Sequence, residues 1–200
     1  MASTREVELK GLVDDEALRR RVVEAAGATL VYEGRLEDQR FDTPGRALAL
    51  RDVVVRLRTW RSAAGVRAAL DWKGPTRYEE GYKVREELTT IVDSPDALQL
   101  MLTSLGYIVT REIDRHIAQY DVHGAMVRFE RYPRMDVLVE VEGTPTAIEA
   151  AIGALGMPRE AFTTERLPEF VARYELRTGT EAALADCELA GAHPYRVEDA

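Results

Sequence analysis

Glu6-Val7-Glu8-Leu9-Lys10 alternates charged and apolar side chains with a period of two. Successive strand residues point to opposite faces, so Glu6, Glu8 and Lys10 share one face and Val7 and Leu9 the other. The polar face carries both signs of charge, unlike an ordinary surface strand. The pattern recurs along the chain. Arg56 pairs in this way with Arg58, Asp71 with Lys73, Lys83 with Arg85 and Glu87, Arg128 with Glu130, and Glu140 with Glu142. A single strand of this kind is a solvated sheet face. Recurrence on at least five strands leaves two arrangements, a flat sheet wetted on one side or a closed barrel with a polar interior. Barrels of about eight strands enclose one small ligand.

Working outward, Asp14-Asp15-Glu16 precedes LRRRVVEAAG and predicts a helix stopped at Gly27. Strand patterns cover 28–32, 39–42, 52–61, 66–73, 82–92, 107–121, 125–132 and 137–142. Ser94-Pro95-Asp96 starts a helix that runs to Leu105, because Ser caps it and Pro suits its first position. Thr144-Pro145 starts another ending near Gly156, and 164–176 reads as a last helix. About eight strands in hairpins with a few helices make an α+β chain with a largely antiparallel sheet. Residues 1–176 read as one domain, and 177–200, where periodicity is weak, as a loosely packed C-terminal tail.

The apolar fraction of 46% permits a sizeable core, and the net charge of −8 argues against a general nucleic-acid binder, which needs a basic surface. Any phosphate ligand must meet a local concentration of positive charge. Cys187 is alone, which excludes an internal disulfide and a Cys-based metal site. His116, His123 and His193 lack ligand spacing. No apolar run is long enough for a membrane span, and the opening MASTREVELKG lacks the apolar core of a signal peptide. The cytoplasm is therefore the expected compartment.

Inward-pointing Arg and Lys repel one another unless anions neutralise them. Glu6, Glu8, Glu130, Glu140 and Glu142 offset part of that charge, and a polyanion such as a triphosphate supplies the rest. Arginine suits the role because its planar fork grips phosphate oxygens in two places. Carboxylates clustered beside phosphates suit Mg²⁺ or Mn²⁺, hard cations that take oxygen ligands and polarise a phosphoryl group.

The ordered set of motifs resembles the CYTH superfamily, the triphosphate tunnel metalloenzymes. Glu6-Val7-Glu8-Leu9-Lys10 is similar to the family's opening E-x-E-x-K. Gln39-Arg40-Phe41-Asp42-Thr43-Pro44 resembles its turn, Arg56-Leu57-Arg58 its R-x-R strand, and Leu70-Asp71-Trp72-Lys73-Gly74-Pro75 its lysine strand. Lys83 to Glu87, Arg111 with Arg115, Glu130, and Val139-Glu140-Val141-Glu142 follow in family order. The resemblance implies an eight-stranded antiparallel closed β-barrel, a tunnel with flanking helices. It implies triphosphate contacts from Lys10, Arg56, Arg58, Lys73, Arg85, Arg111 and Arg115. One or two Mg²⁺ or Mn²⁺ ions would lie on Glu6, Glu8, Glu130, Glu140 and Glu142. Glu6, Glu8, Lys10 and Lys73 are the candidate catalytic residues. The branch most similar in length and in its Lys-Gly-Pro segment is the class IV adenylyl cyclases, which convert ATP to cyclic AMP and pyrophosphate. Other branches hydrolyse inorganic or thiamine triphosphate. Asp71, Thr89, Glu130 and Asp136 depart from the family pattern. A non-catalytic nucleotide or polyphosphate sensor is the reading from another class, although the carboxylates would weaken plain anion binding. A homodimer is an expectation from the family alone.

Overall fold

The computed structural model describes residues 4–200; residues 1–3, where the segment read for a leader begins, lie outside the described residues. Ten strands form one antiparallel sheet: β1 (Thr4–Leu12), β2 (Thr29–Asp42), β3 (Val54–Ser62), β4 (Gly65–Lys73), β5 (Arg77–Glu79), β6 (Tyr82–Val92), β7 (Ile108–Val122), β8 (Ala125–Arg131), β9 (Leu138–Glu142) and β10 (Phe162–Thr163). Because β1 pairs with both β9 and β6, eight of them close into a ring in the order β1-β9-β8-β7-β2-β3-β4-β6. The short β5 and β10 attach to β6 and β1. Closure leaves the ring without a free edge.

The hairpins follow from local sequence. Ser62 pairs with Gly65 across Ala63-Ala64. Val122 pairs with Ala125, and both His123 and Gly124 between them have positive φ, the requirement of a type I′ turn. His123 is thus a turn residue.

The apolar core lies outside the ring. Val7, Leu9, Val127, Phe129, Val139 and Val141 alternate with the charged residues of their strands and are buried. Helix α1 (Glu16–Ala25) covers this face with Val23, and helix α3 (Pro145–Leu155) with Ile148, Ile152 and Leu155. Helix α2 (Pro95–Ser104) packs Leu98 and Leu102 near Phe41, Leu57 and Ala68. The caps read from sequence at Ser94 and Thr144 form, accepting from the backbone N–H of Ala97 and Ala147, and Asp15, read only as an acid of the first turn, caps α1 by accepting from Leu18 N.

A second apolar cluster closes one end of the barrel. Ile113, Tyr132 and Leu138 have the inward parity of Arg115, Glu130 and Glu140. They pack against Leu167, Phe170 and Val171 of helix α4 (Leu167–Thr178) and against Ala182, Leu184 and Ala200.

Three local expectations are corrected. The strands expected over 28–32 and 39–42 are one strand, β2, which carries polar residues on both faces between them. Gly34 permits its passage, since a Cβ there would stand 2.4 Å from the Arg61 carbonyl oxygen. The last long helix starts at Leu167 rather than 164, because Phe162 and Thr163 pair with β1. The tail is packed rather than loose. Ala182 to Ala185 are buried, Asp114 N donates to Leu184 O at 2.7 Å, and a short helix α5 (Asp186–Leu189) follows. No helix among the described residues is long and apolar enough to cross a membrane.

Candidate active site

Register decides which charges meet inside the ring. On β1, Glu6 stands opposite Arg85 of β6, Glu8 opposite both Lys83 and Glu142, and Lys10 opposite Glu140 of β9. Arg58 and Arg56 on β3 face Asp38 and Arg40 on β2 respectively, which in turn face Ile113 and Arg111 on β7. A cavity of about 190 Å³ runs through this interior, lined among others by Lys10, Arg56, Arg58, Lys73, Arg115 and Glu140.

Asp38 is the hub of the network. Arg58 donates to its two oxygens at 2.7 and 2.9 Å, and Arg115 to one of them at 3.0 Å. Burial alone would raise this carboxyl's pKa, but Arg56, Arg58 and Arg115 outweigh it and hold the pKa well below the usual range. Asp71 plays the same part for Arg56, accepting from Nε at 3.1 Å and Nη2 at 2.6 Å, and takes a third bond from Thr89. Neither acid was singled out from sequence as a charge partner of the arginines; the signal was the inward parity of Asp38 with Arg40 and of Asp71 with Lys73.

Glu130 accepts from Arg115 at 3.0 Å, Arg128 at 3.1 Å and the Tyr132 hydroxyl at 2.8 Å. Burial, then Lys10 and Arg115, act on it in opposite senses, and its pKa settles at about 2. Lys10 lies 2.8 Å from Glu140, which Arg128 also holds. Burial would lower the Lys10 pKa, yet Glu130 and Glu140 prevail and raise it, so Lys10 stays a cation. Lys73 lies 2.5 Å from Glu6, and Lys83 2.5 Å from Glu8. Glu142 differs. Burial, then the like charges of Glu6 and Glu140, push its pKa up to about 8.

The predicted site residues divide by placement. Glu8, Lys10, Arg56, Arg58, Lys73, Arg85, Arg115, Glu130 and Glu140 line the cavity. Glu6 and Glu142 stand next to them through Lys73 and Glu140. Arg85 donates to the carbonyls of Gly74 at 2.6 Å and Asp52 at 2.8 Å, pegging the Gly-Pro turn. Arg111 is not brought to the cavity. Its buried guanidinium pairs with Glu188 of α5 at 2.7 Å. Trp60 is flanked by Arg67, 4.3 Å over its ring, and is not part of the cavity wall. Arg40 lines the cavity and was missed, because it lies in the segment whose Asp-Thr-Pro turn drew the reading.

Two features bear on ligands. Arg40 Nε and Arg115 Nη1 are buried N–H groups without a partner, and unspent donors on cationic side chains suit an anion's oxygens. The oxygen-only donor set of Glu6, Glu140 and Glu142 suits a hard divalent cation; burial and, after it, the like charges of Glu6 and Glu140 raise the Glu142 carboxyl, and a bound cation would offset both. As folded, Lys73 and Lys83 hold Glu6 and Glu8, and no group of three or more His, Cys, Asp or Glu side chains among the described residues is gathered closely enough to hold a metal.

A closed antiparallel barrel with an ionised interior and an apolar exterior clad in helices is thus the class the fold and site define. The chain belongs to the CYTH domain family, whose model matches residues 4–144. Solved structures agree in fold. An adenylate cyclase candidate from Vibrio parahaemolyticus superposes with a TM-score of 0.72 at 20% identity, covering 86% of this chain and 99% of its own. A Pyrococcus horikoshii protein gives 0.68 at 22% identity, covering 88% and 99%. A Hippeastrum protein, an adenylyl cyclase candidate described as having a dominant triphosphatase activity, gives 0.61 at 17% identity, covering 92% and 99%. No curated protein matches the sequence.

Proposed function

We propose that the protein is a metal-dependent enzyme acting on a triphosphate held inside the barrel. The observation that carries this is the set of cavity-lining cations around Arg40 Nε and Arg115 Nη1, donors that no group of the protein satisfies. Glu6, Glu140 and Glu142, with Glu8 and Glu130 beside them, would hold Mg²⁺ or Mn²⁺. The bound ion supplies charge neutralisation and polarisation of a phosphoryl oxygen. Arg56, Arg58 and Arg115 fix the phosphate chain, kept rigid by Asp38 and Asp71. Lys10, Lys73 and Lys83 exchange carboxylate partners for phosphate oxygens, which frees Glu6 and Glu8. Burial excludes water from these contacts and strengthens them.

Two chemistries share this frame. Hydrolysis of a triphosphate is supported by the Hippeastrum protein that shares the fold and is described as having a dominant triphosphatase activity. Cyclisation of ATP, the reaction of class IV adenylyl cyclases, is supported by the cyclase candidates that share the fold. It requires the nucleoside to sit at the mouth and its 3′-hydroxyl to reach the α-phosphorus in line. The deciding experiment offers ATP and inorganic triphosphate separately with Mg²⁺ or Mn²⁺ and identifies products by phosphorus NMR, with Glu8→Gln as control. Orthophosphate establishes a triphosphatase, and cyclic AMP with pyrophosphate a cyclase. Tight triphosphate binding without turnover of either would establish a sensor instead.

A further inference from the structure

The cavity carries an occupant from the chain itself, beside the apolar cluster that closes one end of the barrel. Glu198, Asp199 and Ala200 line the same cavity as Arg56, Arg58 and Arg115. Arg40 Nη1 donates to the backbone carbonyl of Asp199 at 2.9 Å. Arg46, from the loop after β2, stands 2.7 Å from the Asp199 carboxylate. Further back the segment is firmly tied, by the buried Arg111–Glu188 pair and by Arg35 to Asp186 at 2.7 Å.

The fit there is incomplete. Arg40 Nε and Asp199 Oδ2 are both buried without a hydrogen-bond partner. Arg56 and Arg58 each have a close carboxylate, Asp71 or Asp38. Arg40 hydrogen-bonds only a neutral carbonyl, and burial together with Arg56, Arg85 and Arg115 outweighs the opposing pull of Asp38 and presses its pKa down to about 9. It is a poorly neutralised cation in the cavity wall. A charged acceptor bonds a guanidinium about twice as strongly as a neutral one. An anion reaching Arg40 therefore gains what the Asp199 carbonyl cannot supply.

We propose that Arg40 is a further anion-binding residue of the cavity, and that residues 197–200, pinned by Arg46, occupy it in competition with the ligand. The acidic pair Glu198-Asp199 adds to the competition by repelling an incoming polyanion. The inference rests on the triphosphate reading above. The α5 anchors stay in place while the stretch after it swings aside, so the segment is a tethered competitor whose release accompanies ligand entry.

The test is isothermal titration of inorganic tripolyphosphate, without divalent metal, into three proteins: the intact chain, a chain ending at Arg196, and full-length Arg46→Ala. Thermal melts confirm folding; Arg46→Ala removes only the pin on Asp199 and leaves Val197 and Ala200 in the chain, free to pack before ligand arrives and to leave as it enters, and so guards against a truncation that fails to fold. Both altered proteins are expected to bind about tenfold more tightly than the intact chain. Arg40→Met in the Arg46→Ala background is expected to remove that gain. Equal or weaker binding by folded altered proteins would overturn the competition while leaving the triphosphate reading intact. Absence of tripolyphosphate binding in every form would overturn both. A gain that survives Arg40→Met would overturn the role of Arg40.

Discussion

Arg58 grips Asp38 through two nitrogens, at 2.7 and 2.9 Å, and both side chains are buried. The same carboxylate also faces Arg115 and Arg56. An acid inside the barrel therefore pre-positions the arginines that would meet an anion, and keeps them from driving the interior apart before one arrives.

Asp38→Ala leaves three buried guanidiniums short of a partner. Removing one member of a buried charge network costs about 3–5 kcal/mol. The melting temperature is expected to fall by roughly 2–4 °C per kcal/mol in a chain of this size. Saturating tripolyphosphate should restore part of the loss, since it supplies the missing negative charge. A melt unchanged from the intact protein would remove Asp38 from its role as hub.

Glu142 gives a pH signature. Its pKa in the fold is about 8, against an ordinary 4.5. The folded state therefore keeps a proton that the unfolded state loses. Stability is fully present below about pH 4.5, declines as pH rises through that interval, and levels off above about pH 8. Glu142→Gln lacks this ionisation. In metal-free buffer it should match the intact protein near pH 4.5 and melt higher above pH 8. Mg²⁺ or Mn²⁺ should stabilise the intact protein more than the variant. Parallel melting curves across pH would refute the assignment.

Lys73 holds Glu6 at 2.5 Å and reaches Glu87 at 3.5 Å. Lys73→Met removes a cation from the cavity wall. Loss of one charge-stabilising donor typically costs about 10²–10³-fold in turnover. A fall of about 100-fold in kcat on the productive triphosphate is expected. Turnover within about threefold of the intact enzyme would place Lys73 outside the machinery.

Arg111 separates structure from site. The sequence resemblance assigns it to triphosphate, whereas its guanidinium is buried against Glu188, whose carboxylate also accepts from Leu184 N and Ala185 N. Arg111→Met is expected to lower the melting temperature by unseating α5 and to leave the KM for triphosphate within about twofold, measured below the shifted melt. A large rise in KM with an unchanged melt would return Arg111 to the ligand.

Much of the molecule was legible because its signals are local. The two-residue alternation of β1, β3 and β9 marks a strand with one charged and one apolar face whatever the rest of the chain does. Ser94-Pro95 and Thr144-Pro145 carry their caps within one turn, and the motif order from Glu6 to Glu142 places the strands in the family. Partnership inside the ring is another matter. Whether Arg58 meets Asp38, or Lys83 meets Glu8, depends on register between strands that are 20 and 75 residues apart. A one-residue slip would send every one of these side chains to the other face. Arg111 and Arg115 look alike in sequence, yet one turns to α5 and the other to Asp38 and Glu130. Weak periodicity hid the segment after Arg177, because its contacts come from single residues against distant elements rather than from a repeating face. The chain's own pattern thus determined strands with one charged face each; the pairing of β1 with both β9 and β6 turned those faces inward, decided which charges are already answered, and left Arg40 in contact with the Asp199 carbonyl.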